Sequence, residues 1–143
     1  MEYSPERALE IILNNINQCM GFQFEETCKK FLQENPDLFG FTPRVIGKHW
    51  GRVPYKKNES YDIDLVAYDE KNILFGECKW SNKKVGLNEY KRLLLRSEYV
   101  NTGNRKKIYV IFSKSGFEED LLSLQSENLY LITPLNMAEV YGI

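Results

Sequence analysis

One short apolar segment, residues 73–80, constrains the fold of this chain more than any other feature. It reads ILFGECKW, and strand side chains alternate between two faces, so Glu77 and Lys79 share a face with two apolar residues. Both faces are apolar for most of the segment, which is typical of a central strand covered on both sides. The segment therefore predicts a buried strand that ends with an acid and a base side by side.

A second segment, residues 61–68, brings further acids. It reads YDIDLVAY, and alternation puts Asp62 and Asp64 on one face. If this strand pairs with the next one, an acid of this strand and the E-x-K motif of Glu77 and Lys79 would meet and form a metal site. The alternative is that these acids lie at solvated strand ends and form only weak surface ion pairs. Charges beside a buried strand are costly unless paired or bound to metal, which favours the metal site. The residues expected on the opposite face are Ile63, Leu65 and Ala67.

The composition is that of an ordinary globular protein and excludes several classes. The 143 residues suit one domain, with 43% hydrophobic and 27% charged residues. No apolar run approaches membrane-spanning length, and the polar amino terminus is unlike a signal peptide, so a cytoplasmic location is expected. Without a glycine-rich phosphate loop, this chain alone is not expected to be an NTPase. Three cysteines without metal-ligand spacing are expected to be free thiols, namely Cys19, Cys28 and Cys78.

Charge is segregated along the chain although the net charge is only −1. Residues 44–57 contain five basic residues and no acid, and residues 79–107 contain nine basic residues against two acids. Such segregation predicts one basic face, which is typical of nucleic-acid binding. The alternative is a set of solvated surfaces that segregate in the sequence without forming a common face.

Helical periodicity dominates the first part of the chain. Residues 4–17 carry an apolar stripe and predict an amphipathic helix, and Gly21 is expected to break the pattern. A second helix is predicted over residues 22–34. Glu25 and Glu26 would lie in its first turn, where acids interact favourably with the helix dipole, and this accounts for both without any function.

The rest of the chain alternates between strand and helix signals. Hairpin-joined strands come first and strands reached through helices follow, which predicts an α/β fold whose mixed sheet has helices on both sides. Strands are predicted within residues 42–55 and over 61–68, 73–80, 107–113 and 129–132, and helices over 87–99, 117–126 and 134–140, with a tight turn at 69–72.

Three ring side chains near these segments have both structural and functional interpretations. His49 is the only histidine, and beside a tryptophan it is expected to pack or to form a hydrogen bond instead of binding metal. Trp50 and Trp80 are each expected to pack in the core. The functional alternative is that one of them stacks on an unpaired base.

The acid pattern resembles a known superfamily. Asp64, followed after twelve residues by Glu77-Cys78-Lys79, resembles the PD-(D/E)xK nucleases of the restriction-endonuclease-like fold. A longer set of sequence segments is more specific. Together these segments resemble the uncharacterised nuclease-like domain at the carboxyl end of archaeal and bacterial AAA-type ATPases. The segments that carry this resemblance are GFQFE at 21–25, HWG at 49–51, YDIDLVA at 61–67 and FGECKW at 75–80.

The resemblance implies a domain layout. It covers about residues 21–113 and implies the α-β-β-β-α-β core of the superfamily, a mixed β-sheet flanked by helices. Residues 1–143 would then form a single nuclease-like domain, with residues 1–20 as an amino-terminal extension or linker and residues 114–143 as a carboxyl-terminal helix-strand-helix.

The resemblance also implies roles for individual residues. Asp64 and Glu77 match the metal-binding acids, and Lys79 matches the superfamily lysine. Glu25 matches an additional acid that some members bring to the metal, with Glu26 as the alternative if the register slips by one. Relatives often have Glu where this chain has Asp62, and they usually carry an ATPase that this chain lacks.

The implied function is metal-dependent hydrolysis of phosphodiester bonds, with DNA as the expected nucleic acid. Carboxylate oxygens are ligands that suit Mg²⁺ or Mn²⁺. The alternative is a catalytically silent nucleic-acid-binding or docking module for a AAA-type ATPase, in cis or in trans. A homodimer is a further possibility, through the apolar stripe of Ile11, Ile12 and Ile16. The basic residues expected to contact nucleic acid are Lys48, Arg52, Lys56, Lys57, Lys83 and Lys84.

Overall fold

The first helix is longer than the sequence predicts. The structure is a computed structural model that describes residues 4–142, and its helix α1 spans Pro5–Glu34 without interruption. Ser4 caps it, since its side-chain Oγ accepts the Arg7 N–H at 3.2 Å, and Pro5 takes the first helical position. The predicted break at Gly21 is wrong, because an interior glycine costs only about 1 kcal/mol relative to alanine and still donates its N–H.

The continuous helix changes the interpretation of its acids. Glu25 and Glu26 lie in the second half of α1 and not in the first turn of a separate helix. Interaction with the positive end of the helix dipole therefore does not explain them, because that effect falls off within the first turn.

The remaining elements follow in the predicted order, except that a short helix at Pro36–Phe39 was not predicted and another helix is shorter than predicted. The predicted helix over residues 117–126 is wrong in length, because only one helical turn forms before the chain turns back through a Ser126–Leu129 bridge. The elements are α2 (Pro36–Phe39), β1 (Val45–Arg52), β2 (Ser60–Tyr68), β3 (Asn72–Lys79), α3 (Leu87–Glu98), β4 (Lys106–Ser113), α4 (Glu119–Leu122), β5 (Leu129–Ile132) and α5 (Pro134–Val140).

The five strands form one mixed sheet in the order β1-β2-β3-β4-β5. The first three strands are antiparallel, whereas β4 pairs parallel to β3 and β5 pairs parallel to β4. Asp69 makes the predicted tight turn between β2 and β3, since its Oδ1 accepts the Asn72 N–H at 2.7 Å. The predicted α/β fold class, with its α-β-β-β-α-β core, is confirmed.

Apolar layers cover both faces of the sheet. On one face α1 contributes Phe24 and Phe31, which pack with β3 and β4 residues such as Phe112. On the other face Leu93 of α3 packs with Phe75 of β3 and their neighbours. The central position predicted for β3 is therefore confirmed, and burial of these side chains is the main source of stability.

A β-bulge interrupts the alternation predicted for β2. Gly47 of β1 pairs with Val66, but His49 pairs with Ile63, so two β2 residues lie opposite the single residue Lys48. The predicted common face of Ile63, Leu65 and Ala67 is wrong, because Ile63 packs on the α3 side while the other two pack on the α1 side. The residue at which the strand changes sides is Asp64.

Other sequence-based expectations concern thiols, membranes and dimers. All three cysteines are free, as predicted. Despite the length of α1, no helix among residues 4–142 is both long and apolar enough to cross a membrane. Of the stripe suggested for a homodimer, Ile11 is partly exposed, while the side chains of Ile12 and Ile16 lie outside the described residues.

Candidate active site

Asp64 lies where β2 separates from β3. The ladder between these strands ends at the pair Leu65 and Gly76, and the next free N–H, that of Cys78, donates to Oδ2 of Asp64 at 2.9 Å. The Asp64 side chain is only 13% exposed. Burial raises its pKa, and so does the nearby Asp62, while the Cys78 hydrogen bond and the Lys48 ammonium lower it. The net effect is a raised pKa, which indicates a carboxylate incompletely compensated by the protein.

Glu77 and Lys79 form the predicted adjacent pair on β3. Lys79 Nζ lies 3.3 Å from Oε1 of Glu77, and their side chains are 34% and 10% exposed. Burial raises the pKa of Glu77, the Asp64 carboxylate raises it further, and Lys79 opposes both effects. A second acid is therefore held next to Asp64 at the end of the central strand.

Glu25 approaches the same place from α1. Its side chain is 27% exposed, and its Oε2 lies 3.9 Å from the ammonium of Lys48. Burial and then the Asp64 carboxylate raise the pKa of Glu25. Glu26, the alternative in a shifted register, is an exposed residue of the same helix.

Lys48 lies inside this acidic group. Its Nζ is 3.5 Å from Oδ2 of Asp62 and 3.9 Å from Oδ1 of Asp64, in addition to the 3.9 Å contact with Glu25. One ammonium from β1 thus faces three carboxylates from α1 and β2, and we refer to these four residues as the Lys48 cluster. The Arg96 guanidinium of α3 donates a hydrogen bond of 3.3 Å to the backbone carbonyl oxygen of Asp62.

The donor set suits a hard divalent cation, although the side chains are not yet arranged around one. Every candidate ligand is a carboxylate oxygen, the donor that Mg²⁺ and Mn²⁺ prefer. Within residues 4–142, no three His, Cys, Asp or Glu side chains converge closely enough to hold a metal ion. Lys48 lies among three of the acids, and its N–O distances of 3.5–3.9 Å are longer than the metal–oxygen distances of about 2.0–2.6 Å.

The other predicted basic residues flank the acids on two segments. Since β2 and β3 are antiparallel, the start of β2 and the end of β3 lie at the same end of the sheet. The hairpin that joins β1 to β2 and the loop after β3 therefore both lie at the acidic end. The exposed residues on these segments are Arg52, Lys56, Lys57, Lys83 and Lys84.

The three ring side chains have different environments. His49 forms a hydrogen bond of 3.0 Å between Nε2 and the hydroxyl of Tyr61, which confirms its expected structural role. Trp80 packs against Phe24, with ring centroids 5.2 Å apart, as expected for a core residue. The core prediction for Trp50 is wrong, because β1 is an edge strand and leaves this side chain 68% exposed.

The sequence pattern placed Asp62 on one face with Asp64 but assigned it no role in the site, and it did not place Lys48 among the acids. Asp62 shares a strand with Asp64, two residues away, and this spacing was the available signal. No local signal identifies Lys48, because its position depends on how β1 pairs with the bulged part of β2. It was instead expected to contact nucleic acid.

Sequence comparisons relate the chain to uncharacterised proteins. The model of the family DUF234, described as archaeal and bacterial proteins of unknown function, matches residues 1–93. The uncharacterized protein MJECL04 of Methanocaldococcus jannaschii is 32% identical over 116 residues, which are 74% of this chain and 24% of that protein. The chain thus spans about a quarter of the length of this curated relative.

Two solved structures are similar in part. The DNA modification-dependent restriction endonuclease AspBHI aligns with 100% of this chain and 37% of its own, at a TM-score of 0.47 and 15% identity. EndoMS, in a complex with dsDNA, aligns with 73% of this chain and 41% of its own, at a TM-score of 0.35 and 18% identity.

Proposed function

The chain belongs to the DUF234 family of archaeal and bacterial proteins of unknown function, and we propose from its candidate site that it hydrolyses phosphodiester bonds in nucleic acid with the help of a divalent metal ion. DNA is the expected substrate. The observation that carries this proposal is the meeting of three elements at one end of the sheet. They place Glu25 and Glu77 each near Asp64, and burial raises the pKa values of all three acids, while Lys79 lies beside Glu77. Buried, incompletely compensated acids in one place are typical of functional sites.

Asp64 and Glu77 would hold the metal, with Glu25 as a third oxygen donor. A bound Mg²⁺ or Mn²⁺ would supply Lewis-acid polarisation of the phosphate and acidify a bound water. Lys79 would orient the attacking water or neutralise charge that develops on the phosphate. In the reaction, water adds to phosphorus, the bond from phosphorus to one sugar oxygen breaks, and that oxygen takes up a proton.

Nucleic acid would be bound through its backbone. The hairpin between β1 and β2 and the loop after β3 offer exposed lysines and an arginine on both sides of the acids, which suits phosphate contacts without sequence readout. The exposed Trp50 ring is the side chain we propose to stack on an unpaired base. Quenching of Trp50 fluorescence by a single-stranded oligonucleotide in a Trp80→Phe variant would test the stacking, and unchanged emission would contradict it.

The site is tested by cleavage of labelled single-stranded and duplex DNA with Mn²⁺. We expect Glu77→Ala to fold normally and to lower the cleavage rate by about a hundredfold or more, as removal of a group that positions transition-state charge does. Glu25→Ala should also lower the rate, whereas its exposed neighbour provides the matched control Glu26→Ala, which should not. If Glu77→Ala cleaves as fast as the wild type, the site assignment is wrong.

The second candidate is a binding or docking module with a silent site. It is favoured by the spacing of the acids, since no three of them already converge on a metal position within residues 4–142. Such a module would bind nucleic acid or a partner ATPase, in cis or in trans, without hydrolysis. DNA binding that is equally tight in wild type and Glu77→Ala, with no product from any substrate, would support the module over the nuclease.

A further inference from the structure

We propose that Lys48 is an internal counter-ion that takes the place of a divalent cation among the acids and leaves that place when the cation enters. This inference rests on the proposed function, because it concerns the same candidate metal site. It assigns to Lys48 a role in metal binding that neither a surface lysine nor a catalytic lysine would have.

The contacts of the ammonium carry the proposal. Lys48 Nζ lies within 4 Å of Glu25, Asp62 and Asp64, at 3.9, 3.5 and 3.9 Å. Its side chain is only 32% exposed, and three carboxylates against one ammonium leave an excess of negative charge at the cluster. An opposite charge at this distance stabilises ionised carboxylates, and it does so more strongly where water is partly excluded.

The backbone directs Lys48 to this position. Lys48 is the single β1 residue that lies opposite the bulge in β2, where two residues occupy the space of one. A bulge bends the strand and redirects its side chains, and here Asp64, in the bulge, has Oδ1 3.9 Å from Lys48 Nζ. The lysine therefore enters the acidic group through the pairing of β1 with β2.

A metal and the ammonium exclude each other from the same group. Carboxylates that now contact Nζ at 3.5–3.9 Å would have to close to about 2.0–2.6 Å on a divalent ion. An ammonium left between them would be repelled by the ion and would compete for the same oxygens. Lys48 is thus expected to lower the metal affinity of the wild type.

The Trp50 ring lies beside the cluster. From its position among the carboxylates, Lys48 Nζ is 5.2 Å from the centre of that ring, close enough for a cation–π contact. Because Trp50 is exposed, an ammonium displaced toward it would lie at the surface and be available to a substrate phosphate. Entry of the metal ion and contact with the phosphate backbone of the nucleic acid would then be coupled through Lys48.

Calorimetric titration with Mn²⁺ in the absence of nucleic acid tests the displacement. We expect Lys48→Gln to bind Mn²⁺ at least about tenfold more tightly than the wild type, because the repulsion between a nearby unit charge and the ion is worth more than tenfold in affinity at an effective dielectric constant near 20. Lys48→Arg should bind like the wild type, because it keeps the charge. Lys107→Gln, which removes the same charge from an exposed position at the beginning of β4, at the opposite end of the sheet, is the matched control and should also bind like the wild type.

A fluorescence titration with Mg²⁺ provides a readout that does not depend on affinity. The chain has only two tryptophans, so a Trp80→Phe variant reports on Trp50 alone. Mg²⁺ should change the Trp50 emission in this variant, and the change should vanish when Lys48→Gln is added. An equal change with and without Lys48, or no change while metal binds, would overturn the proposal.

The outcomes separate this inference from the proposed function. If the wild type binds Mn²⁺ and folded Lys48→Gln binds it no more tightly, the counter-ion role is wrong and the metal site stands. If neither protein binds Mn²⁺ at millimolar concentration, the metal-dependent function fails, and the counter-ion role fails with it.

Discussion

Glu77 illustrates how a single buried carboxyl group links stability to a candidate function. Its side chain is 10% exposed, and burial together with Asp64 raises its pKa above the ordinary value of 4.5. An acid whose pKa is higher in the folded than in the unfolded state holds its proton longer when folded. As pH rises above 4.5, the folded state therefore loses stability relative to the unfolded state.

We predict that Glu77→Gln melts at a higher temperature than the wild type at pH 7–8 in metal-free buffer, because glutamine removes the buried charge. The expected increase is about 2–4 °C, the shift that about 1 kcal/mol produces in a domain of this size. At pH 4 the difference should largely vanish, because the wild-type group is then mostly protonated. Thermal melts followed by circular dichroism measure the effect.

Glu26→Gln is the matched control for that measurement, since Glu26 is an exposed acid on α1. Its melting temperature should follow the wild type at both pH values. A stabilisation by Glu77→Gln that is the same at pH 4 and pH 8 would show that the charge is not its cause.

At the level of elements, the packing of β3 restricts the residue that precedes Glu77. A Cβ placed on Gly76 would lie 3.0 Å from Cβ of Leu65 and 3.1 Å from Cγ1 of Val110. Both neighbours are buried in the α1-side core and belong to the strands that pair with β3. Glycine at this position therefore allows the three central strands to pack closely next to the site.

We predict that Gly76→Ala destabilises the protein by about 1–3 kcal/mol, the usual cost of inserting a methyl group into a packed core. Urea denaturation measures the free energy of unfolding. Gly47→Ala in β1 is the control, because a Cβ there meets nothing within 4 Å, and it should be neutral or slightly stabilising. Equal effects of the two substitutions would refute the steric explanation.

At the level of the whole molecule, the acids and the basic segments lie at the same end of the sheet. The net charge of −1 gives no indication of this arrangement. The antiparallel pairing of β1, β2 and β3 brings together the hairpin with Lys57 and the loop with Lys83, which are far apart in sequence. By contrast, Lys107 belongs to the beginning of β4 and pairs with the beginning of β3, at the opposite end.

We predict that Lys57→Glu weakens DNA binding and lowers the slope of log affinity against log salt by about one, because about one fewer counterion is released. Fluorescence anisotropy over a range of salt concentrations measures both quantities. Lys107→Glu changes the charge equally at the far end of the sheet and should leave the slope unchanged. If both variants lower the slope alike, binding depends on net charge and not on the proposed surface.

Much of the architecture could be predicted from local patterns. The alternation and apolarity of residues 73–80 predicted the central strand, and the signals on either side of it predicted the remaining strands in order. The pair Glu77 and Lys79 was predicted to share one face because strand periodicity is a property of the backbone itself. These features depend on neighbours in sequence, and the sequence contains that information directly.

Two errors in the sequence-based prediction have different physical causes. Gly21 was expected to end a helix, yet α1 runs through it, because one interior glycine costs only about 1 kcal/mol relative to alanine and still donates its N–H. Trp50 was expected to be buried, but the position of β1 at the sheet edge leaves it exposed.

The sequence by itself determined the order of most elements along the chain, the central strand, and the adjacent Glu77 and Lys79 on it. Only the tertiary structure decided that Asp64 lies at a bulge and near Glu77, that Glu25 comes from α1, and that Lys48 lies among the carboxylates. The physical reason is that register and side-chain convergence depend on how two faces of a sheet are packed at once. Periodicity along one segment carries no information about the partner that the segment meets.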